Sequence, residues 1–253
     1  MRLDGLAAIV TGGASGLGAA TAQRLARAGC RVAVLDINQS AAEASAKRVG
    51  GIGIACDVAD ADAAEAAVVK AREAHGPARL LVSCAGVGTA ARIVGRDGPM
   101  PLAAFERVIR INLIGSFNLL RLVAADLSAL DPLEDGERGV IVNTASIAAY
   151  EGQVGQAAYA ASKAGVIGMT LPAARELARI GVRVVTIAPG LFRTPMVEGL
   201  PAAAQQGLAD SIPFPQRLGA PDEYAALVEH IVTNRFINGE TIRLDGALRM
   251  APR

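Results

Sequence analysis

Histidine and cysteine are scarce in this chain of 253 residues, and charge of either sign is not in excess. Two histidines, His75 and His230, are too few for a histidine metal cluster, and both read as surface or helix-end residues. Three cysteines, Cys30, Cys56 and Cys84, are widely spaced, each in or beside an apolar run; they read as buried free thiols in a reducing cytoplasm, not as metal ligands or redox groups. Lys and Arg total 25 against 24 Asp and Glu, so a net charge of +1 with interspersed signs offers no field to nucleic acid or an anionic membrane. No apolar run reaches the roughly 20 residues of a membrane span. Folding signals begin by Leu6, which leaves no room for a cleavable signal or transit peptide. These absences lead us to expect a soluble cytoplasmic protein with no metal, nucleic acid or membrane among its partners.

What the chain has in quantity is apolar residue, 52% of the total, enough at this length for one globular domain over residues 1–253 that buries about 70–75% of its unfolded surface. Short β-branched runs alternate with alanine-rich helical patterns, the signature of a parallel sheet covered on both faces. Strands are expected near Ala7–Val10, Arg31–Leu35, Ile52–Ala55, Leu80–Val82, Val140–Asn143, Val182–Ile187 and Thr241–Leu244. Helices are expected at about Gly16–Ala28, Ala41–Val49, Ala61–His75, Leu102–Leu130, Gln156–Ile180 and Pro221–Thr233. Ser40-Ala-Ala-Glu43 has capping-box spacing, and Gly29, Gly76 and Gly181 punctuate helix ends. Two long stretches, Val87–Pro101 and Gly190–Gly219, read as irregular; their Gly and Pro content suits lids or binding loops, the second over the substrate.

The first strand runs into Thr11-Gly-Gly-Ala-Ser-Gly-Leu-Gly18 and a helix follows at once. Glycines at Gly12, Gly16 and Gly18 let the backbone turn tightly and approach a pyrophosphate, whose charge the helix N-terminus favours. With that strand-before, helix-after context the motif predicts dinucleotide binding on an α/β Rossmann fold, a doubly wound seven-stranded parallel sheet. Asp36 closes the second strand, where a carboxylate binds the ribose hydroxyls of NAD and repels the 2′-phosphate of NADP. Neither Ser15 nor Ile37 supplies a compensating positive charge. Asp57, after the third strand, suits either the adenine amino group or a turn preceding a helix. Ser83-Cys84-Ala85-Gly86 ends the fourth strand with the small residues that close cofactor approach requires.

Downstream, Ser146 follows the strand Gly139-Val-Ile-Val-Asn-Thr-Ala, so its hydroxyl emerges at a carboxyl end of the sheet, where ligand crevices form. Tyr159 and Lys163 are four apart and share a helix face. Taken alone, such a pair is also what an exposed helix surface carries. Beside Ser146 it makes a candidate acid/base: the phenol, with an ordinary pKa of about 10, would be drawn toward neutral pH by the ammonium.

In order and over the whole chain, Thr11-Gly-x-x-x-Gly-x-Gly18, Cys56-Asp57-Val58, Cys84-Ala85-Gly86, Asn112, Ser146, Tyr159, Lys163 and Pro189-Gly190 resemble the short-chain dehydrogenase/reductase family. Within it, Glu151-Gly-Gln-Val-Gly-Gln-Ala-Ala-Tyr159, Thr186-Ile-Ala-Pro-Gly-Leu-Phe192, Pro213-Phe-Pro-Gln-Arg-Leu-Gly219 and Asn238-Gly-Glu-Thr-Ile-Arg-Leu-Asp-Gly246 resemble the type-2 3-hydroxyacyl-CoA dehydrogenase subfamily, also known for oxidising hydroxysteroids. The resemblance implies Ser146, Tyr159, Lys163 and Asn112 as catalytic residues, Asn112 through a water held on its backbone or else as a polar residue at a helix bend. It implies a cofactor site of Gly12, Ser15, Gly16, Leu17, Gly18, Asp36, Asp57, Val58, Cys84, Ala85, Gly86, Tyr159, Lys163, Pro189, Gly190, Phe192 and Thr194. The expected activity is hydride transfer between NAD(H) and a secondary alcohol or ketone, foremost a 3-hydroxyacyl-CoA. A hydroxysteroid or other alcohol and a non-catalytic NAD-binding subunit are the alternatives, and an NADPH-dependent acyl-carrier reductase is disfavoured by Asp36. A homotetramer packing through Leu102–Leu130 and Gln156–Ile180 is also implied. Ser83 departs from the family's usual Asn and puts a sheet-stabilising hydrogen bond in question; the Val87–Pro101 loop departs from the subfamily beside the substrate.

Overall fold

The computed structural model describes residues 1–88 and 90–252. Its strands are β1 (Ala7–Thr11), β2 (Arg31–Asp36), β3 (Ile52–Ala55), β4 (Leu80–Ser83), the two-residue hairpin strands β5 (Val94–Gly95) and β6 (Gly98–Pro99), then β7 (Gly139–Thr144), β8 (Val182–Pro189) and β9 (Thr241–Leu244). Between them lie α1 (Gly16–Arg27), α2 (Gln39–Arg48), α3 (Ala61–His75), α4 (Leu102–Ile109), α5 (Gly115–Ser128), α6 (Ala157–Leu177), α7 (Pro195–Glu198), α8 (Ala202–Asp210) and α9 (Pro221–Thr233). Seven strands form one sheet in the order β3-β2-β1-β4-β7-β8-β9, every pair parallel.

Every residue of β1, β4, β7 and β8 is buried, which is why these runs are apolar throughout instead of alternating. Successive side chains still part to opposite faces: Val140 and Val142 join α1, α2 and α9 on one side, while Ile141 joins α3, α5 and α6 on the other. Strand order reverses at β1, which pairs with β2 on one side and β4 on the other, so the connections diverge there and open a crevice at the carboxyl ends.

Several expectations change in detail. The helix expected over Leu102–Leu130 is interrupted: Arg110–Ile114 forms a π-turn in which the Gly115 N–H reaches back to the Arg110 carbonyl, five residues away. The rod Leu102–Ser128 is long and apolar enough by composition to cross a membrane, although no unbroken apolar run announced it; half of an apolar 18-residue stretch within it is buried in the protein. The cap of α2 is Asn38, whose side chain accepts from the Ala41 N–H at 3.1 Å, not Ser40, which donates to the same Asn38 oxygen. Neither long loop is irregular throughout, since Val87–Pro101 carries the β5–β6 hairpin and Gly190–Gly219 carries α7 and α8.

Candidate active site

At the crevice, β1 hands the chain to α1 through a turn in which Gly12 and Gly16 take φ of +61° and +51°. A Cβ on Gly12 would stand 2.8 Å from the Ala85 nitrogen, and one on Gly18 would strike the Gly12 carbonyl, so side chains are excluded where a pyrophosphate would lie. Ser15 is the N-cap residue, but its exposed hydroxyl makes no capping bond; Leu17 packs inward on the core. This bare, N–H-rich helix start fits a dinucleotide phosphate.

At the tip of β2, Asp36 is half-buried and accepts hydrogen bonds from the Ala14 N–H at 3.2 Å and the Asn38 N–H at 3.1 Å. Its carboxylate is thereby tied to the glycine turn, where ribose hydroxyls would meet it. Asp57 is exposed and accepts from the Ala59 N–H at 2.9 Å, so the turn role holds for one of its oxygens; Asp60 is the actual cap of α3. Val58 is buried against Gly115, where a Cβ would come 2.6 Å from its methyl group.

The β4 tip carries Cys84, Ala85 and Gly86. The Ala85 N–H donates to Thr11 Oγ1 at 3.2 Å, holding this tip beside the glycine turn. Ser83, one residue earlier, lies opposite Asn143 across β4 and β7, and neither buried side chain has a hydrogen-bond partner among the described residues. The sheet-stabilising bond that an Asn at this position would supply is indeed missing.

Ser146 follows β7 and caps a single 3₁₀ turn, Ile147–Ala149, accepting from the Ala148 N–H at 3.1 Å. Tyr159 and Lys163 stand on one face of α6, with Nζ 5.8 Å from the phenol ring centre. Lys163 is 5% exposed, and its ammonium donates to the Thr144 carbonyl at 2.7 Å. Burial lowers the Lys163 pKa to about 8. Burial also pushes the Tyr159 phenol above its ordinary value, with the Ser146 hydroxyl pulling the other way. The expected lowering of the phenol by its neighbouring cation is therefore not present in the free protein, because desolvation of both groups prevails.

Asn112 sits fully buried in the π-turn. Its side chain accepts from the Val87 N–H at 2.8 Å and donates to the Val87 carbonyl and Ser162 Oγ, each at 3.0 Å, while its own carbonyl accepts from Ser116 Oγ at 2.7 Å. The residue lies within a widened turn of the helix, and its side chain clamps the chain beyond β4 to α6. Gly86 lies in that clamp, where a Cβ would stand 3.2 Å from Asn112 Oδ1 and 3.5 Å from Lys163 Nζ.

Pro189 ends β8, and the Gly190 N–H donates to the Leu244 carbonyl at 2.9 Å. Phe192 is buried against Gly219, closing the base of the loop. Thr194 returns to the phosphate turn: its methyl would be 3.4 Å from a Cβ on Gly16. The residues expected to meet the cofactor, from Gly12 to Thr194, and the trio Ser146, Tyr159 and Lys163 thus lie together at the carboxyl ends of the strands.

Three residues that sequence reasoning passed over belong to this region. Thr144 offers its carbonyl to Lys163, Ser162 anchors Asn112, and Tyr224 of α9 reaches the β7 tip from the far face. Tyr224 carried one signal, being one of three tyrosines in the chain.

The short chain dehydrogenase family profile matches residues 6–205. The 3-hydroxyacyl-CoA dehydrogenase type-2 of Bos taurus is 51% identical over 257 residues, covering 99% of this chain and 97% of its own. The human protein of the same name is 50% identical with the same coverage. The crystal structure of 3-hydroxyacyl-CoA dehydrogenase type-2 from Mycobacterium avium superposes with a TM-score of 0.93 at 47% identity, over 98% of both chains. A chain matched over its length, with a glycine turn shaped for a dinucleotide and a Ser–Tyr–Lys set at the crevice, belongs to the short-chain dehydrogenase family, NAD-dependent oxidoreductases acting on CH–OH groups.

Proposed function

We propose that this protein interconverts 3-hydroxyacyl-CoA and 3-oxoacyl-CoA thioesters with NAD(H). The observation that carries the reading is about 50% identity, over nearly the full length, to relatives named for that activity. When bound, NAD supplies the acceptor for the hydride that leaves the carbinol carbon. Gly12, Gly16, Gly18 and Thr194 would hold the pyrophosphate, Asp36 the adenosine ribose, and Lys163 the nicotinamide ribose. Val58, Cys84, Ala85, Gly86, Pro189, Gly190 and Phe192 line its path, and Asp57 has one carboxylate oxygen left for the adenine amino group.

Ser146 donates a hydrogen bond to the substrate oxygen, and Tyr159 as phenolate removes the hydroxyl proton. Since burial raises the phenol in the free protein, the working ionisation requires added positive charge near it: Lys163 kept as ammonium, together with the charge of the oxidised ring. The Asn112 main-chain carbonyl, which accepts from Ser116 Oγ, is where a water linking Lys163 to solvent would be held.

Three free cysteines suit a reducing compartment, and we place the protein in the cytoplasm. Apolar side chains left exposed on α4–α5 and α6, among them Ile114, Phe117 and Leu171, support a homotetramer packed through these helices.

The test is a substrate panel of acetoacetyl-CoA, longer 3-oxoacyl-CoA esters and steroid ketones, each with NADH and NADPH. Acyl-CoA should give the highest kcat/KM, and NADH should lead NADPH by at least about tenfold, roughly 1.4 kcal/mol. Turnover confined to steroid ketones would replace the thioester with a hydroxysteroid, and equal use of both cofactors would remove Asp36 from the ribose.

A further inference from the structure

Behind the active site lies a closed ring of three hydrogen-bonding side chains, two of them buried and the third, Cys84, half-buried. Tyr224, on α9 and 0% exposed, has its hydroxyl 2.7 Å from Thr144 Oγ1. Thr144 Oγ1 donates to Cys84 Sγ at 3.6 Å, and Cys84 Sγ donates to the Tyr224 oxygen at 3.7 Å. Each group has one hydrogen to give. If Tyr224 gives its own to Thr144, all three donors and all three acceptors are used once, and each bond polarises the next. Burial raises both the Tyr224 phenol and the Cys84 thiol, so both keep their protons near neutral pH and the ring stays closed.

The ring sits where three working parts of the site converge. The main-chain carbonyl of its Thr144 is the acceptor that holds the Lys163 ammonium at 2.7 Å. Its Cys84 begins the Cys84-Ala85-Gly86 tip, whose last residue lies against Lys163 Nζ. Its third member belongs to α9, which packs on the opposite side of the sheet from α6, the helix of Tyr159 and Lys163. The apolar neighbours of Tyr224, Val228 and Ile231 among them, would be served by phenylalanine without the cost of burying a hydroxyl.

We propose that Tyr224 is a positioning residue for the dehydrogenase: through Thr144 and Cys84 it fixes the carbonyl on which Lys163 is held, and thereby the charge that tunes Tyr159. The proposal rests on the acid–base roles given to Tyr159 and Lys163. With the Tyr224 hydroxyl removed, the β7 tip that carries the Thr144 carbonyl loses its tether to α9, and that carbonyl holds the Lys163 ammonium less well. A less stable ammonium favours the Tyr159 phenolate less, so oxidation should need a higher pH.

The test is the pH profile of kcat for oxidation of 3-hydroxybutyryl-CoA with saturating NAD, in wild type, Tyr224→Phe, Thr144→Val, Thr144→Ser and the double variant Tyr224→Phe/Thr144→Val. Tyr224→Phe and Thr144→Val should keep the far-UV circular dichroism of the wild type and move the ascending limb to higher pH by at least about half a unit, roughly threefold in the ionisation constant. Thr144→Ser, which retains the hydroxyl, should move it less than Thr144→Val. The double variant should move it no further than the larger single change, because the ring acts as one unit. A lowered melting temperature with the limb in place would overturn the proposal and leave the hydroxyl a part of the core only. Should Tyr224→Phe fail to fold, the Thr144→Val and Thr144→Ser pair decides by itself, equal limbs again overturning it. Tyr159→Phe run alongside separates the two levels: its full activity would remove the underlying acid–base reading, whereas its loss with unmoved ring variants removes only Tyr224.

Discussion

Tyr159 and Lys163 are both disfavoured as ions by the burial that makes them useful. For Lys163 the consequence reaches stability. The folded chain gives up this proton near pH 8, whereas the unfolded chain holds it to 10.5, so between those values the unfolded state binds more protons and wild-type stability gains with rising pH. Lys163→Met lacks that gain. Its stability relative to wild type should therefore fall by roughly 3 kcal/mol between neutral pH and about 10.5, measured by urea unfolding across the range. An offset independent of pH would show that the ammonium is not strained by burial. For Tyr159, the change to Phe removes one hydroxyl and leaves the ring, so the fold should survive while kcat falls by about 10²–10⁴. NADH affinity, read by fluorescence titration, should change far less, since in the proposed site Gly12, Gly16 and Asp36 would hold the other end of the cofactor. A near wild-type rate would mean that another group moves the proton.

Among the elements, the α4–π–α5 rod shows how a local irregularity serves a site. Widening the helix at Arg110–Ile114 brings Asn112 to Val87 and Ser162, which ties the β4 tip to the catalytic helix. The length and composition of this segment announce one long helix, since nothing in its apolar spacing marks a π-turn. The long loop after β8 is the other element with a consequence. From Gly190 to Gly219 it holds two short helices, and α8 buries none of its residues fully. Its base is fixed, with Phe192 against Gly219 and Thr194 against the glycine turn. Opening and closing should therefore involve α7 and α8 while the base stays in place. Hydrogen exchange over 195–211 should slow by at least several-fold on forming a complex with NADH and an acyl-CoA, and unchanged protection would make this a static wall.

On the scale of the whole molecule, the sheet leaves apolar side chains outside its two cores, including Leu102 at 70% and Phe117 at 49% exposure on the α4–α5 rod. Sedimentation equilibrium should give a tetramer for the wild type and smaller species for Phe117→Glu, which would place a charge in the helix-to-helix interface. A tetramer unaffected by that change would move the interface elsewhere. How much of the molecule could be read in advance follows from the range of the forces involved. The amino-acid sequence by itself determined the parallel sheet, because strands buried on both faces must be apolar throughout, as in Val140–Val142. It also determined the glycine turn, Asp36 and the Ser146, Tyr159 and Lys163 set, because tight turns, strand ends and helical spacing are local properties that a few adjacent residues impose. Only the tertiary structure decided what those residues face. That Lys163 spends its ammonium on the Thr144 carbonyl and that Tyr224 closes a ring with Thr144 and Cys84 depend on contacts between residues 19 to 140 positions apart, and that Tyr159 is raised instead of lowered depends on its burial. Desolvation and long-range hydrogen bonding are set by the packed surroundings, which no spacing within one segment encodes.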